Sequence, residues 1–354
     1  MTSEEVDKLL SNCTLCPRMC HADRLQGQRG FCNETSSIMA ARAALHMWEE
    51  PCISGETGSG AVFFSGCNMH CVFCQNYEIA HDEIHKEITI ERLSEIFLEL
   101  QEQKACNINL VTPTHFVPQI IMAIERARQN GLVLPILYNT SGYENVDTIK
   151  MLDGLIDIYL PDCKYFDNSL SMKYSTCPDY FEKTILAISE MVRQTGSPRF
   201  FAPNVHPTDP DANQAGELSS AKYNDYIDRL CDSYDNDSLT NTSSDDSSGD
   251  YSGPLMKSGV IVRHLVLPGS IDDSKKVIEK LISLFGKDIY LSIMNQYTPM
   301  PHSSAFEELS HKVSSSDYDM LLDFAIEKGL ENGFFQGAST SQKSFIPAFD
   351  FKGL

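Results

Sequence analysis

One stretch constrains this chain more than any other: Ser65-Gly66-Cys67-Asn68-Met69-His70-Cys71-Val72-Phe73-Cys74-Gln75-Asn76. Cys67, Cys71 and Cys74 form a C-x3-C-x2-C array directly after the run Ala61-Val62-Phe63-Phe64, which has the length and composition of a buried strand. The cysteines are therefore expected on the loop leaving that strand. Three thiolates so close together can hold three corners of a 4Fe-4S cluster and leave one iron open to a small ligand. S-adenosylmethionine suits such an iron, because its amino group and carboxylate can chelate and its sulfonium can accept an electron. Gly66 permits a sharp turn off the strand, and Phe73 offers an aromatic face beside the last cysteine. The alternatives are a structural zinc with His70 or a distant fourth ligand, or three unrelated buried thiols. Zinc sites usually arrive as two spaced pairs, and no second pair lies close by on the C-terminal side.

At 354 residues the chain can bury a large core as one big domain or two. Its formal charge of −21 and pI near 4.8 argue against nucleic-acid and anionic-membrane partners. No run of 18 apolar residues occurs, and Met1 to Ser11 are polar and acidic, so a soluble, cytoplasmic protein is expected. Seven of the twelve cysteines fall into two tight groups, a pattern of metal or Fe–S binding rather than of disulfides. Cys52, Cys106, Cys163, Cys177 and Cys231 are scattered and read as packing or surface thiols.

Residues 1–34 hold the second group, Cys13, Cys16, Cys20 and Cys32, a complete tetrahedral ligand set for either a structural zinc or a second 4Fe-4S cluster. A connector over 35–60 is expected to pack over the barrel domain. From residue 61 strand and helix patterns alternate in about six units, fewer than the eight of a closed barrel. The economical fold is α/β, a partial, open (β/α)6 TIM-like barrel over 61–330, with a tail at 331–354. Its ligands belong at the carboxyl ends of the strands, where the cysteine loop, Thr112–His115, Asn139–Gly142, Asp162–Lys164, Pro268-Gly269 and Asn295–Tyr297 all fall. An insert over about 203–258 interrupts the pattern. Its core, 232–253, has six Asp and neither Lys nor Arg, and is expected to be disordered.

The cysteine loop, with an aromatic residue before its third cysteine, resembles the signature of the radical SAM superfamily. Further stretches resemble the pyruvate formate-lyase activating enzymes and their uncharacterised relatives: the strand Val260–Leu267 ending in Pro268-Gly269, the turn Tyr138-Asn139-Thr140-Ser141-Gly142, and Asp157–Lys164. The likeness covers roughly 61–300. It implies that Cys67, Cys71 and Cys74 carry the cluster, that Asp162, Lys164 and Thr140 lie near the carboxylate of S-adenosylmethionine, and that Arg263 assists them. Cations and donors around a carboxylate held beside an anionic cluster fit that chemistry; a plain ion pair is the alternative for Asp162 and Lys164. The resemblance further implies a flavodoxin- or ferredoxin-type electron donor and a substrate that is either a glycine of a glycyl radical enzyme or a small molecule. This chain departs from the pattern in three places. No Gly-Gly-Glu turn meets the amino group of the ligand, Thr112-Pro113-Thr114-His115 standing there instead. Asn139 replaces an Asp, and the cysteine tetrad precedes the cluster loop.

Overall fold

The computed structural model describes residues 1–237, 251, 253–336 and 347–354. Its strands are β1 (Ile38–His46), β2 (Ser59–Phe64), β3 (Lys86–Ile88), β4 (Ile108–Val111), β5 (Ile136–Thr140), β6 (Ile158–Pro161), β7 (Arg199–Phe201), β8 (Glu217–Ser219), β9 (Met256–Leu265), β10 (Tyr290–Met294) and β11 (Gly333–Phe335). They form one sheet in the order β11-β10-β9-β6-β5-β4-β2-β1-β3, with β7 pairing to β8 and β9. From β11 through β2 every neighbouring pair on that path is parallel, while β1 runs antiparallel to β2 and β3. The path does not close on itself. The architecture is the expected open α/β barrel, with a parallel run one strand longer than six units and an antiparallel flank.

Hydrophobic patterning accounts for the helices. In α1 (Ile90–Glu102), Leu93, Ile96, Phe97 and Leu100 are buried, the predicted i, i+3, i+4, i+7 stripe, and Thr89 caps the start by accepting from the Arg92 amide at 3.1 Å. Next come α2 (Val117–Gln129), α3 (Asn168–Ser175), α4 (Tyr180–Thr195), α5 (Ser220–Asp237), α6 (Ile271–Phe285) and α7 (Ser315–Glu327). The apolar faces of α1, α2, α4, α6 and α7 join β2, β4, β5, β9 and β10 in one core. Every residue of β2, β4, β5, β6 and β10 is buried, as befits a parallel sheet covered on both faces.

Two stretches differ from the sequence reading. The connector 35–60 supplies β1, an alanine-rich run whose strand form is set by the edge of β2 that it covers. Within the insert 203–258, β8 and α5 are ordered. Tyr223 stacks on Phe200 at 3.8 Å and, with Leu218 and Ile227, joins a cluster containing Met256 and Tyr290. Aromatic and aliphatic residues at helical spacing outweigh the acidic composition there, and α5 runs on to Asp237. Of the acidic core 232–253, residues 238–250 and 252 lie outside the described residues.

Candidate functional site

The loop after β2 turns at Gly66, whose φ is +80° and where a Cβ would stand 2.6 Å from the Cys32 carbonyl oxygen. Only glycine fits this left-handed, crowded position. The turn delivers Cys67, Cys71 and Cys74 into a cleft at the carboxyl ends of the parallel strands. Phe73, Met69, Thr112, Asn139, Thr140, Ser141, Asp162, Lys164, Arg263 and Gln296 line the same cleft. Burial pushes all three thiols up, Cys71 to about 11, and the thiols add mutual repulsion at Cys71 and Cys74. Lys164 acts in the opposite direction on each. Such a set is short of positive charge, which is what an iron cluster brings to thiolates. Among the described residues, neither this loop nor Cys13, Cys16, Cys20 and Cys32 draws three His, Cys, Asp or Glu side chains together as they would be around a single metal ion. A cubane places a separate iron under each thiolate and needs no such convergence. His70 does not line the cleft. Its ring is stacked between Phe31 and His81 at 4.7 and 4.4 Å, so the zinc reading loses its nearest fourth ligand.

The same cleft holds a largely buried ionic network. Lys164 Nζ donates to Asp162 Oδ2 at 2.5 Å, and Arg263 Nε donates to Asp162 Oδ1 at 3.3 Å. Burial alone would raise the Asp162 carboxyl, yet Lys164 and Arg263 hold it below its ordinary value. Arg263 also donates through Nη1 to Glu49 Oε2 (2.9 Å) and through Nη2 to Asn139 Oδ1 (2.5 Å). A guanidinium presents five N–H groups and an ammonium three, so donors remain on both cations after these bonds. Gly142, at φ +81°, lets the β5 turn lie against β6, for a Cβ there would collide with the Asp162 carbonyl oxygen. Phe73 lines the cleft as expected, its ring edge-on to Tyr165 and Tyr297.

Other polar groups near the cleft are committed to one another. Thr140 borders the cleft, but its hydroxyl donates to Glu144 and accepts from the Gly142 amide, leaving no spare O–H for a ligand carboxylate. Thr114 is buried and donates to the same Glu144 oxygen at 2.5 Å. His115 is buried too, its Nε2 2.6 Å from the Ser65 carbonyl, and burial drives its imidazole down to about 3. Neither Thr114 nor His115 lines the cleft in place of the absent Gly-Gly-Glu turn. Sequence reasoning passed over Glu49, one of the adjacent pair Glu49-Glu50, and Glu144, neither of which stands in a recognisable motif.

The N-terminal tetrad sits behind the cluster loop and outside the cleft. A Cβ on Gly30 would stand 2.7 Å from Cys20 Sγ and 4.0 Å from Cys32 Sγ, so both thiols lie close to the bare backbone of Gly30. Burial pushes the Cys16 thiol up, and Cys32 and Cys13 add to the shift. Arg18 ties the module to the barrel, donating to the carbonyls of Asn68 (2.8 Å), Thr176 (2.6 Å) and Ser175 (3.1 Å) while lying 3.7 Å above the Phe31 ring.

Residues 61–214, somewhat under half of the chain, match the model of the Radical SAM superfamily. An uncharacterized protein of Methanocaldococcus jannaschii is 28% identical over 188 residues, 51% of this chain and 53% of its own. The chain thus spans about half the length of that curated relative. Among solved structures, Streptococcus suis SuiB bound to the precursor peptide SuiA aligns with a TM-score of 0.42 at 10% identity, over 77% of this chain and 47% of that one. A domain of the pyruvate-formate lyase-activating enzyme from Bacteroides vulgatus aligns with a TM-score of 0.33 at 10% identity, over 63% and 92%. No helix among the described residues is long and apolar enough to cross a membrane.

Proposed function

We propose that this chain, with its radical SAM match over residues 61–214, is an enzyme that binds a 4Fe-4S cluster through Cys67, Cys71 and Cys74 and S-adenosylmethionine beside it. The observation that carries the reading is that these three thiols and the Asp162–Lys164–Arg263 network share one cleft at the strand ends. When bound, the cluster supplies the electron that cleaves S-adenosylmethionine to methionine and a 5′-deoxyadenosyl radical, which takes a hydrogen atom from the substrate. The protein's own part is positional. Lys164 and Arg263 offer N–H donors to the carboxylate of the ligand, and Asp162 fixes both cations so that they need not reorganise. Phe73, Met69 and Leu265 give the cleft its apolar wall and help exclude water.

The substrate we favour is a glycine of a glycyl radical enzyme, on the strength of the resemblance over 61–300, with a small molecule as the second reading. The Cys13–Cys32 tetrad is assigned a zinc or a second cluster of structural or electron-relaying role, and a flavodoxin or ferredoxin in the cytoplasm is the proposed donor. A non-catalytic Fe–S or zinc scaffold is the competing class. Anaerobically reconstituted protein should give a reduced-cluster EPR signal that shifts on adding S-adenosylmethionine, and should form 5′-deoxyadenosine under dithionite. Replacing Cys67, Cys71 and Cys74 together by Ala should abolish both. A signal that still shifts with S-adenosylmethionine in the triple variant would overturn the assignment, and a cluster without 5′-deoxyadenosine would favour the scaffold.

A further inference from the structure

Glu49 reaches the cleft from the segment after β1, ahead of the residues that match the radical SAM model. Its Oε2 accepts from Arg263 Nη1 at 2.9 Å, and its Oε1 accepts from Asn109 Nδ2 at 2.9 Å and Asn139 Nδ2 at 3.2 Å. The Arg263 and Glu49 side chains are only 15% and 8% exposed, so water screens this contact weakly. Asn139 bridges the pair, giving its amide N–H to Glu49 and taking an N–H from Arg263 on its carbonyl oxygen. The three side chains close a ring in which every polar contact joins a donor to an acceptor. A carboxylate at 139 would put oxygen against oxygen at Glu49, and an amide at 49 would put N–H against N–H at Asn109 and Asn139 or, turned over, at Arg263. The Glu at 49 and the Asn at 139 are thus a matched choice around one guanidinium.

We infer that Glu49 is a positioning residue for the cleft. It holds the Arg263 guanidinium and the Asn139 amide in the orientation that receives the amino-acid end of S-adenosylmethionine, so the binding site extends into the N-terminal segment. Arg263 donates to Asp162 on the loop after β6 and to Glu49, and these two bonds aim its fork. Asp162 and Glu49 thus pair with the two cations Lys164 and Arg263 before a ligand arrives. This inference rests on the proposal that the cleft takes S-adenosylmethionine.

The test is anaerobic calorimetry on oxidised, reconstituted protein, which reads binding without turnover. The probes are S-adenosylmethionine and 5′-methylthioadenosine, which lacks the amino-acid end. Glu49→Gln and Asn139→Asp should each weaken S-adenosylmethionine about tenfold, the scale of one misdirected charge-assisted hydrogen bond, and leave 5′-methylthioadenosine unchanged. The double variant restores the donor–acceptor order between positions 49 and 139, an amide N–H meeting a carboxylate, while Asn109, whose Oδ1 has no partner among the described residues, turns that oxygen toward the new N–H; it should bind within about threefold of the parent. If Glu49→Gln does not fold, Glu49→Asp, which withdraws the same charge by one methylene, carries the same expectation. Unchanged S-adenosylmethionine affinity in the single variants, equal losses for both probes, or a double variant as weak as the two losses combined would each overturn the inference. Failure of the parent protein to bind S-adenosylmethionine would instead remove the proposed function on which it stands.

Discussion

Glu144 is fully buried behind the β5 turn, with Thr114, Thr140 and Tyr138 all directing hydroxyls at its Oε1. Burial pushes its carboxyl up to about 7, against the opposing effect of those hydroxyls. The folded pKa lies above the unfolded one, so the stabilising contribution is fully present below about 4.5 and is lost as pH rises through about 7. At 1.36 kcal/mol per unit the loss is about 3 kcal/mol between pH 4.5 and pH 8. Glu144→Gln stays neutral throughout and should lack this slope. Denaturant unfolding of both proteins at pH 5 and pH 8 checks it: the parent should lose about 2.5 kcal/mol more than the variant across that interval. Parallel profiles would mean that the carboxyl is ionised in the folded protein. Asp162 carries the opposite sign. Its folded pKa is depressed, so its stabilising contribution is present at neutral pH and is lost only as pH falls through the folded value.

At the scale of elements, Arg18 couples the N-terminal module to both the cluster loop and α3 through one guanidinium. Arg18→Ala removes bonds to three carbonyls and the stack on Phe31, leaving acceptors without partners. It should destabilise the module by about 2 kcal/mol and expose residues 1–34 to limited proteolysis ahead of the barrel. Arg18→Lys should rescue little, since an ammonium cannot fork to three acceptors while stacking on a ring. Proteolysis at the parent rate would show that the module is held elsewhere. Most of the barrel was legible in the sequence because its helices write their buried face at 3.6-residue spacing and its strands are continuous apolar runs. The cleft residues Cys67, Cys71, Cys74, Asp162, Lys164 and Arg263 were legible because each lies within such a run or just after one. β1 was not, since alanines carry no strand preference and its form depends on β2. Nor was α5, where Tyr223 and Ile227 acquire meaning only against Phe200 and Tyr290. Glu49 escaped for the same reason: its partners Asn109, Asn139 and Arg263 are 60, 90 and 214 residues away.

Across the whole molecule the two cysteine groups are back-to-back neighbours. The Cys32 carbonyl crowds Gly66 at the base of the cluster loop, and Phe31 stacks on His70 within that loop. None of the four tetrad cysteines lines the cleft. Four thiolates saturate a zinc or a cluster, so the tetrad has no position for a substrate, and its place behind the loop suits bracing or electron relay. A variant with Cys16→Ala and Cys20→Ala should therefore lose one metal centre and lose stability, because metal binding and folding are coupled in small loops. Its folded fraction should still bind iron at Cys67–Cys74 and cleave S-adenosylmethionine under dithionite, which delivers electrons without a relay. Metal analysis of the parent divides the two roles: one zinc beside four irons marks a brace, whereas about eight irons marks two clusters. In the second case turnover with a protein donor should fall in the variant while dithionite turnover holds. If the soluble variant keeps its Cys67–Cys74 cluster yet forms no 5′-deoxyadenosine with dithionite, the tetrad takes part in the chemistry, and its assignment as brace or relay is wrong.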